Sequence, residues 1–195
     1  KGTINLHASL LPNYRGAAPI NWAVMNGDEE TGVTSFFIEK EIDTGKIIER
    51  CKLPIGENET VGELHDRLMN LGAIVIESTV QKIMKGEAIG IEQLKLAEGE
   101  LKLAPKIFKQ DCNIDWNQKI DRVHDFIRGL SPYPAAWCSL KNSVKGEEKT
   151  FKIFQSEKTT TPSNGHASLR EEIDGIYFPC SDYYLKVTEI QMEGK

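Results

Sequence analysis

Hydrophobic and polar positions along the first 88 residues follow two periods, one typical of strands and one typical of helices. Three short runs of apolar and β-branched residues predict strands, at 3–6, 31–38 and 46–53. Pro19 and the Asn26-Gly27 pair suit the two ends of a short helix over 19–25, because proline fits a first turn and glycine a helix end. The order strand, helix, strand, strand is typical of an α/β domain.

A long amphipathic helix is predicted next. Thr60 and Glu63 have the spacing of a capping box, which is a sequence signature of a helix N-terminus. Apolar residues then recur at helical spacing, at Leu64, Leu68, Leu71, Val75 and Ile83. We interpret residues 1–88 as the second half of a Rossmann-like sheet domain, whose first half would lie upstream of residue 1.

The remaining residues follow a different pattern. Residues 89–107 lose all periodicity and carry alternating charges, which predicts an extended linker. Ile120, Val123 and Ile127 then indicate a short helix that ends at Gly129. Short strands are predicted beyond it, at 136–140, 150–155, 173–178 and 184–190. Residues 108–195 therefore favour a small β-barrel domain.

Composition and charge are those of a soluble protein and disfavour a membrane protein, a disulfide-rich protein and a metal-binding protein. Hydrophobic residues make up 39% and charged residues 27% of the 195, no apolar run is long enough to span a membrane, and no leader opens the chain. Four scattered cysteines without a CxxC pair predict free thiols in a cytoplasmic protein, and no metal site. The net charge of −5 shows no basic excess of the kind that marks nucleic-acid binding. The chain begins with Lys rather than Met, and we expect a fragment.

Asn5 and His7 are the first candidate site residues. They lie two positions apart at the end of the first predicted strand, so both side chains point to the same face. An imidazole can take or give a proton, and Asp43, in the loop after the second predicted strand, could orient it. An amide N–H that points at a developing oxyanion contributes roughly 3 kcal/mol to transition-state stabilisation. The three residues would suit attack on a carbonyl by an amine or by water.

Each of these residues also has a structural interpretation. The Asn5 and His7 pair could simply satisfy hydrogen bonds at a strand end, and Asp43 could form the turn that its DTG sequence favours. Ser9 shares the face of His7, but the GxSxG pattern of a serine hydrolase is lacking. Arg15 would by default be a solvated surface charge. The residues alone leave a plausible acid–base site and no more.

A family resemblance carries the interpretation further. The run NLHASLLPNYRGAAPINWAVMNGDEETGV, followed by EKEIDTGKII, closely resembles the folate-dependent formyltransferases. The resemblance implies that Asn5, His7 and Asp43 are the catalytic residues, although Ile42 stands where the family has leucine. It implies 10-formyltetrahydrofolate as co-substrate, with no metal. It also implies a folate pocket lined by Ser9, Leu10, Leu11 and Pro12.

The second half of the chain favours one branch of that family. The sequence Ile114-Asp115-Trp116 and the SPYPAAW run at 131–137 resemble the C-terminal domain of the members that act on initiator methionyl-tRNA. That resemblance implies a barrel of the OB type that contacts the tRNA. The candidates for nucleic-acid contacts are Arg15, Lys106, Lys109, Arg122, Arg128 and Lys152.

The implied reaction moves a formyl group from the folate to the α-amine of methionyl-tRNA in translation initiation, and we expect a monomer without a membrane partner.

Three alternatives remain open. The chain could formylate an amino sugar nucleotide or hydrolyse 10-formyltetrahydrofolate with the same three residues. It could also be an OB-type nucleic-acid binding module attached to an inert α/β remnant, which would bind RNA in a salt-dependent way without binding folate.

Overall fold

The computed structural model describes residues 2–97, 99–141, 146–163, 168–192 and 194. The chain divides into two units, each of which is described by itself. The N-terminal unit comprises Lys1–Ala23, Asp28–Glu59 and Glu63–Ile107. The C-terminal unit comprises Val24–Gly27, Thr60–Gly62 and Phe108–Lys195. Within the described residues, no helix combines the length and the apolar character that crossing a membrane requires.

A three-stranded antiparallel sheet is the centre of the N-terminal unit, with β3 between β1 and β4. The elements of the first 107 residues are, in chain order, β1 (Ile4–His7), β2 (Arg15–Gly16), α1 (Pro19–Met25), β3 (Glu30–Phe37), β4 (Ile47–Pro54), α2 (Val61–Met84) and β5 (Leu103–Ala104). The predicted strands and the predicted short helix are thus confirmed to within one residue at each end. The prediction of an α/β fold is confirmed.

The apolar stripe of α2 packs on this sheet, and its course differs from the prediction at one end. Leu64, Leu68 and Val75 are buried as predicted. Ile83 is 39% exposed, however, so its assignment to the buried stripe is wrong. The stripe ends one turn earlier at Thr79, whose hydroxyl hydrogen-bonds that of Ser35 on β3 at 2.7 Å. A polar pair therefore closes the interface, and hydrophobic periodicity does not detect such a pair.

The segment predicted as an extended linker packs onto the N-terminal unit. Ile91 exchanges two backbone hydrogen bonds with Ile47 of β4, at 2.8 and 2.9 Å. A short 3₁₀ helix follows at Gln93–Leu96, and β5 pairs in parallel with β2. Gln93 is 3% exposed and Ala104 is fully buried. The prediction missed these contacts because single buried residues separated by charged ones produce no period.

The C-terminal unit is a five-stranded antiparallel sheet with one helix packed on it. Its elements are α3 (Ile120–Leu130), β6 (Ala136–Lys141), β7 (Glu148–Pro162), β8 (Arg170–Glu172), β9 (Gly175–Pro179) and β10 (Tyr183–Met192). The strand order is β6-β7-β10-β9-β8. The helix and four predicted strands are confirmed, whereas β8 was not predicted. Ile173, placed in a strand by its apolar character, lies fully exposed in the turn between β8 and β9.

Candidate active site

His7 ends β1 in a fixed orientation. The residue is 7% exposed, and its Nε2 lies 2.8 Å from the carbonyl oxygen of Tyr14. A carbonyl oxygen only accepts hydrogen bonds, so the Nε2 atom carries a proton and donates it to Tyr14. Asn5 lies on the same face of β1 and is exposed. Within the described residues, no hydrogen bond of the Asn5 side-chain amide is found.

Asp43 occupies the loop between β3 and β4 and reaches the other nitrogen of the same ring. Its Oδ2 atom lies 3.7 Å from His7 Nδ1, which is beyond hydrogen-bond length but within ion-pair range when the ring is charged. The backbone N–H of Gly16 donates a hydrogen bond to that Oδ2 at 3.1 Å. Asp43 itself has a positive φ of 54°. The structure thus brings Asp43 to His7, and it places Asn5 two positions before His7 on the same face of β1.

Steric crowding explains why the DTG sequence has a glycine at position 45. A Cβ atom on Gly45 would overlap the carbonyl oxygen of Phe37, which lies directly against it. Any other residue would push the loop away from β3 and move Asp43 with it. The loop that carries the candidate carboxylate therefore requires glycine at this position.

Tyr14 has a φ of 63°, which is unusual for a tyrosine, and three hydrogen bonds hold it in place. The first is the one that its carbonyl oxygen accepts from His7. Its N–H donates to the carbonyl of Lys102 at 2.6 Å, and its hydroxyl donates to Asp28 Oδ2 at 2.6 Å. The Lys102 ammonium pairs with Asp28 Oδ1 at 2.6 Å. The hydrogen bond that Lys102 donates to Asp28 raises the pKa of Lys102 above its ordinary value, although burial opposes the shift. Lys102 lies in the segment that was predicted to be a linker.

Gln93 is a buried residue of the site that sequence reasoning missed. Its Nε2 donates to the carbonyl oxygens of Asp43 at 2.7 Å and Gly45 at 2.8 Å. Its Oε1 accepts from Arg15 Nε at 3.0 Å and Nη2 at 2.6 Å. Gln93 therefore connects the loop that carries Asp43 with Arg15 of β2. It lies outside every periodic pattern, so the sequence contained no signal for it.

The turn after β1 contains the four residues that the resemblance assigned to a folate pocket. Ser9 is fully buried and donates its hydroxyl to the carbonyl of Asn13 at 2.7 Å. Leu11 is fully buried in a cluster with Phe36 and Ile47, Pro12 is buried and Leu10 is half-buried. Ser9 and Leu11 thus have structural partners of their own, and Leu10 keeps more of its surface accessible than the other three.

The basic candidates for nucleic-acid contacts are differently placed. Lys106, Lys109, Arg122 and Lys152 are exposed, and Arg15 is half-buried against Gln93. Arg128 is 6% exposed, and its Nη2 and Nε lie 2.8 Å from Asp125 Oδ1. Burial and the pairing with a carboxylate leave this guanidinium less accessible to a phosphate than the other candidates are. The apolar positions around it fix the helix face, but the sequence does not show which charged residue turns inward.

Two grooves lie away from these residues. In the N-terminal unit, the face of β1 opposite His7 forms an apolar groove of about 410 Å³ with α2, in which Leu6 and Ala8 face Leu68 and Gly72. In the C-terminal unit, a groove of about 590 Å³ runs beside β6. Trp116 in that groove stacks on Phe178 with ring centroids 4.3 Å apart. Within the part of the chain that the structure describes, no group of three His, Cys, Asp or Glu side chains could hold a metal ion.

Comparison with protein families agrees with this arrangement. Residues 1–80 match the family described as formyl transferase, and residues 106–195 match the formyl transferase C-terminal domain. The chain therefore belongs to the formyltransferase family, as the resemblance predicted. Over its whole length it is 57% identical to a methionyl-tRNA formyltransferase of Bacteroides thetaiotaomicron and 50% identical to one of Bacteroides fragilis. It spans 61% and 60% of the length of these two relatives.

Solved structures share the fold at low sequence identity. The N-formyltransferase of Helicobacter canadensis, in complex with folinic acid and dTDP-3-aminofucose, superimposes with a TM-score of 0.74 at 22% identity, covering 96% of this chain and 66% of its own. The methionyl-tRNA formyltransferase of Clostridium thermocellum gives a TM-score of 0.59 at 16% identity, covering 98% of this chain and 68% of its own. These likenesses extend over both units and concern the fold alone.

Proposed function

We propose that the protein transfers the formyl group of 10-formyltetrahydrofolate to the α-amine of initiator methionyl-tRNA. The observation that carries the proposal is the arrangement of His7 between the Tyr14 carbonyl and Asp43, beside the exposed amide of Asn5. This arrangement offers an imidazole ring and an amide donor at the end of β1, with a carboxylate from the loop between β3 and β4 beside the ring. Relatives that are 50–57% identical over the whole chain bear the name of this activity.

The reaction needs stabilisation of a negative oxygen and movement of one proton. The α-amine attacks the formyl carbon, and the carbonyl oxygen becomes an oxyanion. The Asn5 amide donates a hydrogen bond to that oxygen, and charged His7 stabilises it through space. When the bond between the formyl carbon and the folate N10 breaks, the proton lost by the attacking amine ends on N10. Asp43 orients the His7 ring and attracts positive charge on it during the transfer, since its carboxylate lies 3.7 Å from Nδ1.

The folate co-substrate is proposed to bind beside the turn after β1. Leu10 is half-buried, so of the four residues at 9–12 it is the one best placed to contact a ring of the bound folate directly. Ser9 and Leu11 would shape the pocket from behind, because their side chains are fully buried. The exposed Asn5 amide lies on the same strand end, where a formyl oxygen would need a donor.

The C-terminal unit is the proposed tRNA-binding domain. We propose that its five-stranded sheet belongs to an OB-like barrel, and that the functional divisions are 1–88, 89–107 and 108–195. Of the basic candidates, Lys109, Arg122 and Lys152 are exposed in this unit and could contact phosphates, with Arg15 and Lys106 as candidates in the N-terminal unit. A monomeric cytoplasmic protein fits this role.

An amino sugar nucleotide is the second candidate acceptor. The observation in its favour is the TM-score of 0.74 with the Helicobacter canadensis N-formyltransferase, against 0.59 with the Clostridium thermocellum tRNA enzyme. Identity outweighs it, because both structures are 22% identical or less while the tRNA-enzyme relatives reach 57%. One fold can serve enzymes with different acceptors. The alignment with the tRNA-enzyme relatives covers the whole chain, including the candidate site residues, and therefore bears more directly on the acceptor.

One assay separates the candidates. The full-length gene product is incubated with 10-formyltetrahydrofolate and, in parallel, with charged initiator methionyl-tRNA, with a dTDP-amino sugar, or with no acceptor. We expect formyl-methionyl-tRNA as the product. A formylated sugar as the product would show that the acceptor is an amino sugar nucleotide and not methionyl-tRNA. Rapid release of formate without an acceptor would indicate a hydrolase. Salt-sensitive RNA binding without formyl transfer or formate release would indicate that the protein is a nucleic-acid binding module and not an enzyme.

A further inference from the structure

Gln93 has all its hydrogen-bonding capacity in use inside the N-terminal unit. A glutamine amide has two N–H donors and one oxygen with two lone pairs. Both donors go to backbone carbonyls, of Asp43 and Gly45, and both lone pairs accept from the guanidinium of Arg15. The side chain is 3% exposed, so water cannot replace these partners readily.

The two carbonyls that Gln93 binds lie on either side of Thr44, directly beside the candidate carboxylate. Asp43 has a φ of 54°, a conformation that a non-glycine residue keeps only where its surroundings enforce it. Gln93 enforces it from the carbonyl side, while the Gly16 N–H fixes the carboxylate from the other side. The direction in which Asp43 Oδ2 points toward His7 therefore depends on the Gln93 amide group.

We propose that Gln93 is a positioning residue for formyl transfer, which sets the Asp43 carboxylate against His7 without touching either substrate. This inference rests on the proposed function. The required chemistry selects glutamine, because the same side chain must donate to two carbonyls and accept from a guanidinium. Glutamate would keep the Arg15 contacts and present a negative oxygen to the two carbonyls. Methionine has a similar length and would lose all four hydrogen bonds without adding a charge.

The test compares Gln93→Glu and Gln93→Met with the wild-type full-length gene product. We expect the kcat of formyl transfer to fall roughly 10- to 100-fold in Gln93→Glu, since small displacements of catalytic groups have effects of that size. The KM for 10-formyltetrahydrofolate should stay within about threefold, because an interaction needed only in the transition state lowers kcat alone. Gln81→Glu is the matched control, since it makes the same chemical change at an exposed position of α2 in the same unit.

A second readout does not depend on activity. The Gly16 amide donates to Asp43 Oδ2, so its hydrogen exchange reports where that carboxylate lies. Exchange of the Gly16 amide should quicken by about tenfold or more in Gln93→Glu, while amides of the α2 interior keep their protection. If Gln93→Glu does not fold, Gln93→Met supplies both measurements.

The outcomes distinguish the two proposals. A wild-type protein that transfers no formyl group refutes the proposed function, and the Gly16 exchange still decides whether Gln93 positions Asp43. An active wild-type protein whose Gln93→Glu variant keeps its kcat and its Gly16 protection overturns the positioning role. A rise in KM with unchanged kcat overturns it as well, because that result would indicate a role in binding.

Discussion

Replacing Asp43 with asparagine removes one charge from the site and little else. Asparagine has nearly the same shape, tolerates a positive φ and can still accept from the Gly16 N–H. Asp43 Oδ2 lies 3.7 Å from His7 Nδ1, and the side chains are 13% and 8% exposed. Unit charges at that separation attract by about 4 kcal/mol at an effective dielectric constant of about 20. If this attraction stabilises charged His7 in the transition state, its loss slows the reaction by about 10³.

The measurement is kcat for formyl transfer to methionyl-tRNA by the full-length Asp43→Asn variant, together with its melting temperature. We expect kcat to fall by about 10²- to 10³-fold while the melting temperature changes by only a few degrees. Asp66→Asn is a matched control, because Asp66 also pairs with a histidine, His65, at 3.2 Å on the exposed surface of α2. Exposed ion pairs contribute little, so this control should keep full activity. A loss smaller than about tenfold in Asp43→Asn would refute the electrostatic role of the carboxylate.

Three further predictions concern the surroundings of the site and the core. Gly45→Ala should lower the free energy of unfolding by more than about 2 kcal/mol in a urea titration, because its Cβ would overlap the Phe37 carbonyl; an unchanged midpoint would contradict the observed loop. Leu11→Ala should lower the free energy of unfolding by about 2–5 kcal/mol in the same titration, since the side chain is fully buried, and a loss below about 1 kcal/mol would contradict its place in the core. Burial raises the pKa of Cys138 to about 11 and that of Cys180 to about 12, so at pH 8 both thiols should resist iodoacetamide until the protein is unfolded; mass spectrometry showing rapid native labelling would disprove this.

The sequence revealed the two polar residues of β1 and the DTG loop because each belongs to a local pattern. Asn5 and His7 stand out as polar residues at the end of a strand, where alternation alone places them on one face. Asp43 stands out because Asp and Gly in a short loop between two strands indicate a turn. That the loop folds back to bring Asp43 within 3.7 Å of His7 depends on the pairing of β1 with β3, which local spacing does not encode.

The contacts around these residues could not be predicted for a physical reason. Gln93 and Tyr14 act through backbone carbonyls and N–H groups, which every residue possesses and which therefore leave no trace in composition. The burial of Arg128 depends on Asp125, and charged residues at helix positions i and i+3 are usually exposed. Long-range hydrogen bonds and inward-turned charges therefore become visible only in the folded chain.

His7, beside Asn5 and Asp43, is the residue on which the proposed formyl transfer depends most. The most direct test is the single-turnover rate at which the full-length His7→Ala variant moves the formyl group from 10-formyltetrahydrofolate to methionyl-tRNA, at saturating concentrations of both. The arrangement around His7 predicts that transfer is abolished while the variant remains folded and still binds the folate. Transfer at a rate close to that of the wild-type protein would contradict it.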